Sequence, residues 1–531
     1  MKKQEEVELN TLSPFEVKDT LIKLAKSNHQ HSMINAGRGN PNWIATKPRD
    51  AFFQLGLFGL EESKRQFQEL DGFGGITDKD GITKRFQAYL ALNKNVIGLR
   101  YLNDLFQFAV ANYGIDSDDL MFEWVNGIIG NNYPEPGRML KHSETIAHAY
   151  LMKEMSAGAT PPESKYDVFA TEGGTAAMVY IFNSLKANKF LKAGDTIAIG
   201  TPIFTPYFEM PALKDYDLKM VLINSDENDN WQIPDSEIDK LKDTKVKAFF
   251  LVNPSNPPSV KLSETTLDKI AKIAKDREDL ILLTDDVYGS FTENFTSLAI
   301  KAPESTILVY SYSKYFGATG WRLGVIALNE NNNFDKMLAK LPEEDKVELR
   351  ERYGTISLNP DGIKMIDRFV ADSRSVALNH TAGLSTPQQI QMSLFSLATL
   401  IDTENKYKKD VKKLVRNRYD KLYKDLPGKP LISEDNKNAA YYYTLVDFLN
   451  LARDKYNEAF SKWVGENYNA LDPVIRLAEE ESIVAMPGGG FDGPDWTIRF
   501  SLANSYSEDF EKISILINDI LDEYYNEFQK I

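Results

Sequence analysis

Short, almost continuously apolar runs alternate with helix-period segments through the middle of the chain. The runs fall at residues 196–200, 219–224, 246–252, 280–284, 307–311 and 324–328, and an amphipathic segment such as 263–275 separates two of them. Strands apolar on both faces and separated by helices predict an α/β body around a largely parallel sheet. Downstream the pattern changes. A basic amphipathic helix at 406–426, whose charges read as a solvated face, precedes a strand at 440–446. A Pro-Gly-Gly-Gly turn at 487–490, a strand at 496–502 and a last helix from about 507 complete a smaller α+β body. Residues 46–130 fit neither pattern and read as four helices, at 49–70, 81–92, 99–113 and 116–129. In the first of these Phe52, Phe53, Leu55, Leu57, Phe58 and Leu60 crowd into nine positions, more than one core stripe requires. The predicted division is an N-terminal arm at 1–45, a helical insertion at 46–130, a large body at 131–395 and a small one at 396–531.

A chain of 531 residues with 42% hydrophobic and 11% aromatic content has ample material for several packed cores. The formal charge of −15 disfavours binding to nucleic acid or to an acidic membrane surface. With no cysteine there are no disulfides and no thiolate nucleophiles or ligands. The five histidines show no zinc spacing, so no metal site is expected. The charged start Met1-Lys2-Lys3-Gln4-Glu5-Glu6 leads into no apolar segment, and no run approaches a membrane span. A cytoplasmic protein is the expectation.

The chemistry sits at strand ends. The run Ile307–Tyr310 leads into Ser311-Tyr312-Ser313-Lys314, and Arg322 follows eight residues after the lysine in a glycine-rich turn. A lysine amine can hold an aldehyde as a Schiff base, while serine and arginine side chains suit a phosphate. Gly173-Gly174-Thr175 opens a helix after a short apolar run, a place where backbone N–H groups meet an anion. Asp285 closes an apolar strand with Tyr288 three residues on, and a carboxylate there can keep a pyridine nitrogen protonated. Asn256 lies in Asn253-Pro254-Ser255-Asn256-Pro257, and Phe204 offers a ring for stacking. Arg499 interrupts an apolar strand in Ile498-Arg499-Phe500-Ser501, where a buried guanidinium requires a carboxylate from the protein or from a ligand. Taken singly, each has an ordinary alternative: a glycine cap, a helix cap, a rigid turn, a core ring or a surface lysine.

In order and spacing, these motifs together resemble the fold-type I aminotransferases over about residues 130–505. The resemblance implies a pyridoxal phosphate (PLP) enzyme with a mixed, mostly parallel sheet. Lys314 would carry the cofactor, Asp285 would pair with its ring nitrogen, and Asn256 and Tyr288 would serve its phenolic oxygen. Phe204 would stack on the ring. Gly173, Gly174, Thr175, Ser311, Ser313 and Arg322 would surround the phosphate, and Arg499 would take the substrate α-carboxylate. Tyr133, in Tyr133-Pro134-Glu135-Pro136-Gly137, matches a tyrosine that reaches a partner subunit's phosphate, which implies a homodimer with shared sites.

Two departures narrow the reaction. The loop Gly37-Arg38-Gly39-Asn40-Pro41-Asn42-Trp43 is separated from Tyr133 by the whole insertion, and Arg38 stands where ordinary members carry a non-basic residue. Loop and insertion together resemble the aspartate 4-decarboxylase branch of the family, whose members also transaminate aspartate. That implies aspartate and 2-oxo acids as substrates, alanine and CO2 as products, and Arg38 as the residue orienting the distal carboxylate. The crowded apolar face of the insertion is expected to build dimers into a larger homo-oligomer. His380 lies roughly where some relatives carry a distal-carboxylate arginine. The alternatives are a plain aspartate or broad-specificity aminotransferase, and a PLP-binding protein without activity. The second is disfavoured by Lys314, Asp285 and Arg499 together.

Overall fold

The computed structural model describes residues 9, 14–27, 32–67, 71–378 and 381–530; His380 and the last three positions of the first expected helix lie outside them. The helix Pro14–Ser27 leads to the two-residue strand β1, Ile34–Asn35, and then to the glycine loop that carries Arg38. Four helices follow, Thr46–Gln66, Ile82–Leu92, Ile97–Tyr113 and Ser117–Ile129, each within four residues of the expected bounds. They enclose a core of their own in which Phe58, Phe86, Phe106 and Trp124 meet edge to face. The helix Thr386–Leu400 contributes Ile390, Leu394 and Leu397 to that core, which ties the insertion to the sheet-bearing body.

The central sheet has seven strands: β2 Tyr166–Thr171, β3 Thr196–Thr201, β4 Lys219–Asn224, β5 Val246–Val252, β6 Ile281–Asp285, β7 Thr306–Ser311 and β8 Gly324–Asn329. Their order is β2-β8-β7-β6-β5-β3-β4. Only β8 runs against its neighbours, pairing antiparallel with both β2 and β7. This polarity places the site. The other six strands all end at one edge of the sheet, and β8 begins there, with Gly324 in register with both Thr171 and Ser311. Residues just after β2, β3, β5, β6 and β7 therefore converge with residues just before β8, the usual position of ligands in open α/β sheets. Within this sheet, β2, for which the sequence showed only a short apolar run, is the one strand absent from the expected set.

The C-terminal part builds a three-stranded antiparallel sheet of β9 Tyr443–Asp447, β11 Met486–Pro487 and β12 Thr497–Ser501. Between them β10, Ile483–Val484, pairs in parallel with β1, so the N-terminal arm belongs to this body. The basic helix Lys406–Tyr423 is not solvated throughout. Lys408 pairs with the buried Glu154 at 3.2 Å, and the buried Arg418 donates to the carbonyls of Leu502 and Ala503 at 2.8 and 3.1 Å. Arg418 also donates to Asn42 Oδ1 at 2.7 Å, which fixes the end of the Arg38 loop. A basic residue on an amphipathic helix reads as solvated in sequence because its partner lies hundreds of residues away. Among the described residues, no helix is long and apolar enough to cross a membrane.

Candidate active site

A cavity of about 410 Å³ opens where the strand ends meet the C-terminal sheet. Twelve of the expected residues line it: Arg38, Gly174, Thr175, Phe204, Asn256, Asp285, Tyr288, Ser311, Ser313, Lys314, Arg322 and Arg499. Gly173 stands directly behind. Its φ is +95°, and a Cβ there would lie 2.4 Å from Arg322 Nη2, so only glycine admits the guanidinium. Arg322 itself is left-handed, with φ +54°, which turns its side chain back toward the start of the helix Gly174–Ala187. Tyr133 is not in the cavity; it is 68% exposed, as a residue directed at another protomer would be.

At the end of β6, Asp285 accepts from the Tyr207 hydroxyl at 2.9 Å and from the Val287 N–H at 3.2 Å. Burial pushes its carboxyl up to about 6, although both hydrogen bonds and the charge of Lys314 pull it down. Its neighbour Asp286 is fully buried, bonded to Thr284 Oγ1 at 2.5 Å, and pushed up to about 8 by burial. Burial thus favours the neutral form more strongly at Asp286 than at Asp285.

Lys314 Nζ donates to the Gly39 carbonyl at 3.1 Å. Ser313 Oγ, two residues beyond the end of β7, is buried with no protein partner, an orphan at the cavity wall. Arg499, in β12, is 4% exposed and is flanked by the rings of Tyr443 and Phe491, each 4.5 Å from its Cζ. Its donors reach Asn256 Oδ1 at 3.2 Å and the Gly37 carbonyl at 2.7 Å, while its Nε is buried without a partner. No carboxylate of the described residues pairs with it. Burial lowers its pKa without neutralising a group as basic as guanidinium.

Among the lining residues that escaped the sequence reading are Lys18, Tyr443 and Phe491. Lys18 sits on the helix Pro14–Ser27, where its spacing looks like an ordinary solvent position. Tyr443 and Phe491 look like core aromatics, and only the pairing of β9 with β12 and the turn that precedes β12 bring them against Arg499.

Comparison with known proteins places the chain in a family. A family model described as aminotransferase class I and II matches residues 131–514. A Pseudomonas protein, bifunctional aspartate aminotransferase and L-aspartate beta-decarboxylase, is 49% identical over 525 residues, covering 98% of each chain. An aspartate aminotransferase of Pyrococcus abyssi is 34% identical over 143 residues, 26% of this chain and 36% of that one. Among solved structures, a Thermus thermophilus aspartate aminotransferase double mutant superposes with a TM-score of 0.59 at 16% identity, covering 96% of each chain.

The buried Asp285 carboxylate has a measurable cost. Its folded value of about 6 exceeds the ordinary value of about 3.9, so the unfolded chain releases this proton first. Stability of the cofactor-free protein therefore falls as pH rises from about 4 to about 6 on account of this group, and the full cost persists above that. Asp285→Asn removes the charge while keeping an acceptor for Tyr207. The cofactor-free variant is expected to melt a few degrees above wild type at about pH 7.5, with the gap closing near pH 4, in calorimetry across that range.

Proposed function

The chain belongs to the class I and II aminotransferase family, and from that premise we propose that it is a PLP enzyme converting L-aspartate to L-alanine and CO2, with aspartate transamination as its second activity. The observation that carries this reading is the 49% identity to the bifunctional Pseudomonas protein over 525 residues. That alignment takes in the helical insertion, whereas the general family model begins only at residue 131. A cytoplasmic setting and exchange with free 2-oxo acids go with it.

The residues present fit the cofactor. Ser313 Oγ is an unpartnered buried donor beside Ser311, Thr175 and Arg322, a set suited to a phosphate. Asp285 has no fixed cation of its own and suits a protonated ring nitrogen, which would return its pKa toward the usual range. When bound, the cofactor supplies an electron-poor ring that takes up the electron pair left as a bond to the substrate's amino-bearing carbon breaks.

The chain's own residues then divide the work. Lys314 tethers the cofactor and moves the proton of the substrate Cα. Phe204 covers one ring face, and Asn256 and Tyr288 donate toward the phenolic oxygen. Arg499 takes the α-carboxylate through the donors that now rest on Asn256 and Gly37. Tyr133 completes the phosphate site of a second protomer, which makes the homodimer the working unit.

Arg38, exposed at the cavity mouth between two glycines, orients the distal carboxylate. A tight clamp would stabilise the very group that must leave, so a single contact that holds the C–C bond across the ring plane serves better. Supplied with aspartate and no 2-oxo acid, the enzyme is expected to release alanine and CO2 through many turnovers. One stoichiometric half-reaction, after which turnover stops, would make it a plain aminotransferase. Arg38→Ala is expected to lower CO2 release relative to pyridoxamine formation by tenfold or so in a single turnover, the loss of about 1.4 kcal/mol of orientation. An equal fall in both would make Arg38 a binding residue only.

The insertion also supports a larger assembly. In the helix Thr46–Gln66 the crowded apolar positions split into two stripes. Phe52, Leu55 and Phe58 are buried within the chain, whereas Phe53, Leu57 and Leu60 are 57%, 49% and 49% exposed. The exposed three are spaced i, i+4, i+7, a second helical face that a neighbouring protomer would cover. Phe58, expected from sequence to belong to that surface, packs instead on Phe86 and is unsuitable for testing it. Charged replacements at Phe53 and Leu57 should reduce the mass seen by light scattering to that of a PLP-binding dimer; an unchanged mass would rule this interface out.

A further inference from the structure

Tyr443 opens β9, is 2% exposed within the main core, and also lines the active-site cavity. Three features fix it there. Ser259 Oγ accepts from the backbone N–H groups of Tyr442 and Tyr443 at 3.0 and 3.3 Å, pinning the start of the strand. The ring lies on the Arg499 guanidinium at 4.5 Å. The hydroxyl sits 3.1 Å from that of Tyr288 and so close to Gly39 that a Cβ there would be 2.2 Å away. Gly39 is therefore glycine because Tyr443 occupies the space a side chain would need. The Tyr442 hydroxyl holds the same residue by donating to its carbonyl at 2.6 Å.

The direction of the Tyr288–Tyr443 bond follows from what Tyr288 faces. Tyr288 is buried, and burial raises its pKa well above the ordinary value, so it is a neutral phenol with one proton to give. If that proton is directed at the cofactor's phenolic oxygen, the Tyr288 oxygen is left as an acceptor, and Tyr443 must be its donor. A phenol that accepts a hydrogen bond becomes a stronger donor itself. We propose that Tyr443 is a positioning residue: it donates to the Tyr288 oxygen and thereby strengthens the hydrogen bond that Tyr288 gives to the cofactor. This rests on the PLP reading above and extends it to a residue outside the motifs that carry that reading.

The consequence is electronic. With the cofactor held on Lys314, its phenolic oxygen would share a proton with the nitrogen that Lys314 contributes. A stronger bond from Tyr288 draws charge off that oxygen, weakens its hold on the shared proton and lets the proton leave at lower pH. The other charged or titratable groups around the pair and its cavity are Asp285, Lys314, Lys18, Arg38, Arg322, Arg499 and Tyr442, and Tyr443→Phe alters none of them. The phenylalanine also keeps a ring on Arg499, so affinity for the α-carboxylate should change little.

The test is a visible-absorbance titration of the PLP-loaded protein from about pH 5 to pH 10, comparing wild type, Tyr443→Phe, Tyr288→Phe and the double variant. Tyr443→Phe is expected to move the midpoint upward by about half a pH unit, part of the free energy of one neutral hydrogen bond. Tyr288→Phe should move it further, and adding Tyr443→Phe to it should produce no additional shift, because the path runs through Tyr288. No shift in the single variant, a downward shift, or full additivity in the double variant would overturn the proposal. So would a Tyr443→Phe protein that no longer loads PLP, since the hydroxyl would then serve the fold. A wild-type protein whose bound PLP borohydride does not fix to Lys314 would overturn the assignment of Lys314 itself, a failure distinct from the others.

Discussion

The site depends on one unbalanced charge. Arg499 is buried in a strand of the C-terminal sheet, and no carboxylate of the described residues neutralises it. Taking a guanidinium out of water costs several kcal/mol, and carbonyl dipoles and ring faces recover only part of that. The neighbourhood is arranged around the deficit. Tyr443 and Phe491 cover the two faces of the guanidinium and leave its edges as donors. Two acceptors, Gly37 O and Asn256 Oδ1, occupy those edges in the described structure. Both are neutral, so an arriving carboxylate competes with them on favourable terms.

That arrangement also joins the two bodies of the chain. Phe491 accepts through its carbonyl from the Ile203 N–H at 3.1 Å, and Gly490 from Thr205 Oγ1 at 3.1 Å, so the turn that covers Arg499 also holds the loop that carries Phe204. Gly37 and Gly39 bracket Arg38, and their carbonyls accept from Arg499 and Lys314 respectively. The residue proposed to orient the distal carboxylate therefore hangs between contacts made by Arg499 and Lys314, the residues proposed for the α-carboxylate and the cofactor. Decarboxylation breaks the bond to the distal carboxylate, which transamination leaves intact, so the role proposed for Arg38 in this loop would bear on the first reaction alone.

Much of this was legible in the sequence, for a local reason. Each cofactor motif immediately follows an apolar run, and a run that ends at the sheet edge delivers the next residues to the site; Asp285 after β6 and Lys314 after β7 are the clearest cases. What stayed hidden depends on approach between distant segments. Tyr443 and Phe491 look like core rings, Lys18 looks like a solvated helix residue, and Lys408 pairs with Glu154 more than two hundred residues earlier. The crowd of apolar residues on the helix Thr46–Gln66 was visible as an excess, but composition alone did not assign Phe58 to the core and Phe53 to the surface. Helical spacing could have done so.

The account stands on Arg499 being a carboxylate receptor. The most direct measurement is the equilibrium affinity of the PLP-loaded protein for a C4 dicarboxylate and for a monocarboxylate of similar length, with and without Arg499→Lys. Lysine keeps the charge but loses the planar pair of donors. The account predicts that both ligands weaken by a similar factor of roughly 10 to 100, the worth of one or two charge-assisted hydrogen bonds, because both use the same carboxylate contact. Unchanged binding of the monocarboxylate, or a loss confined to the dicarboxylate, would contradict it and move Arg499 to the distal end of the substrate.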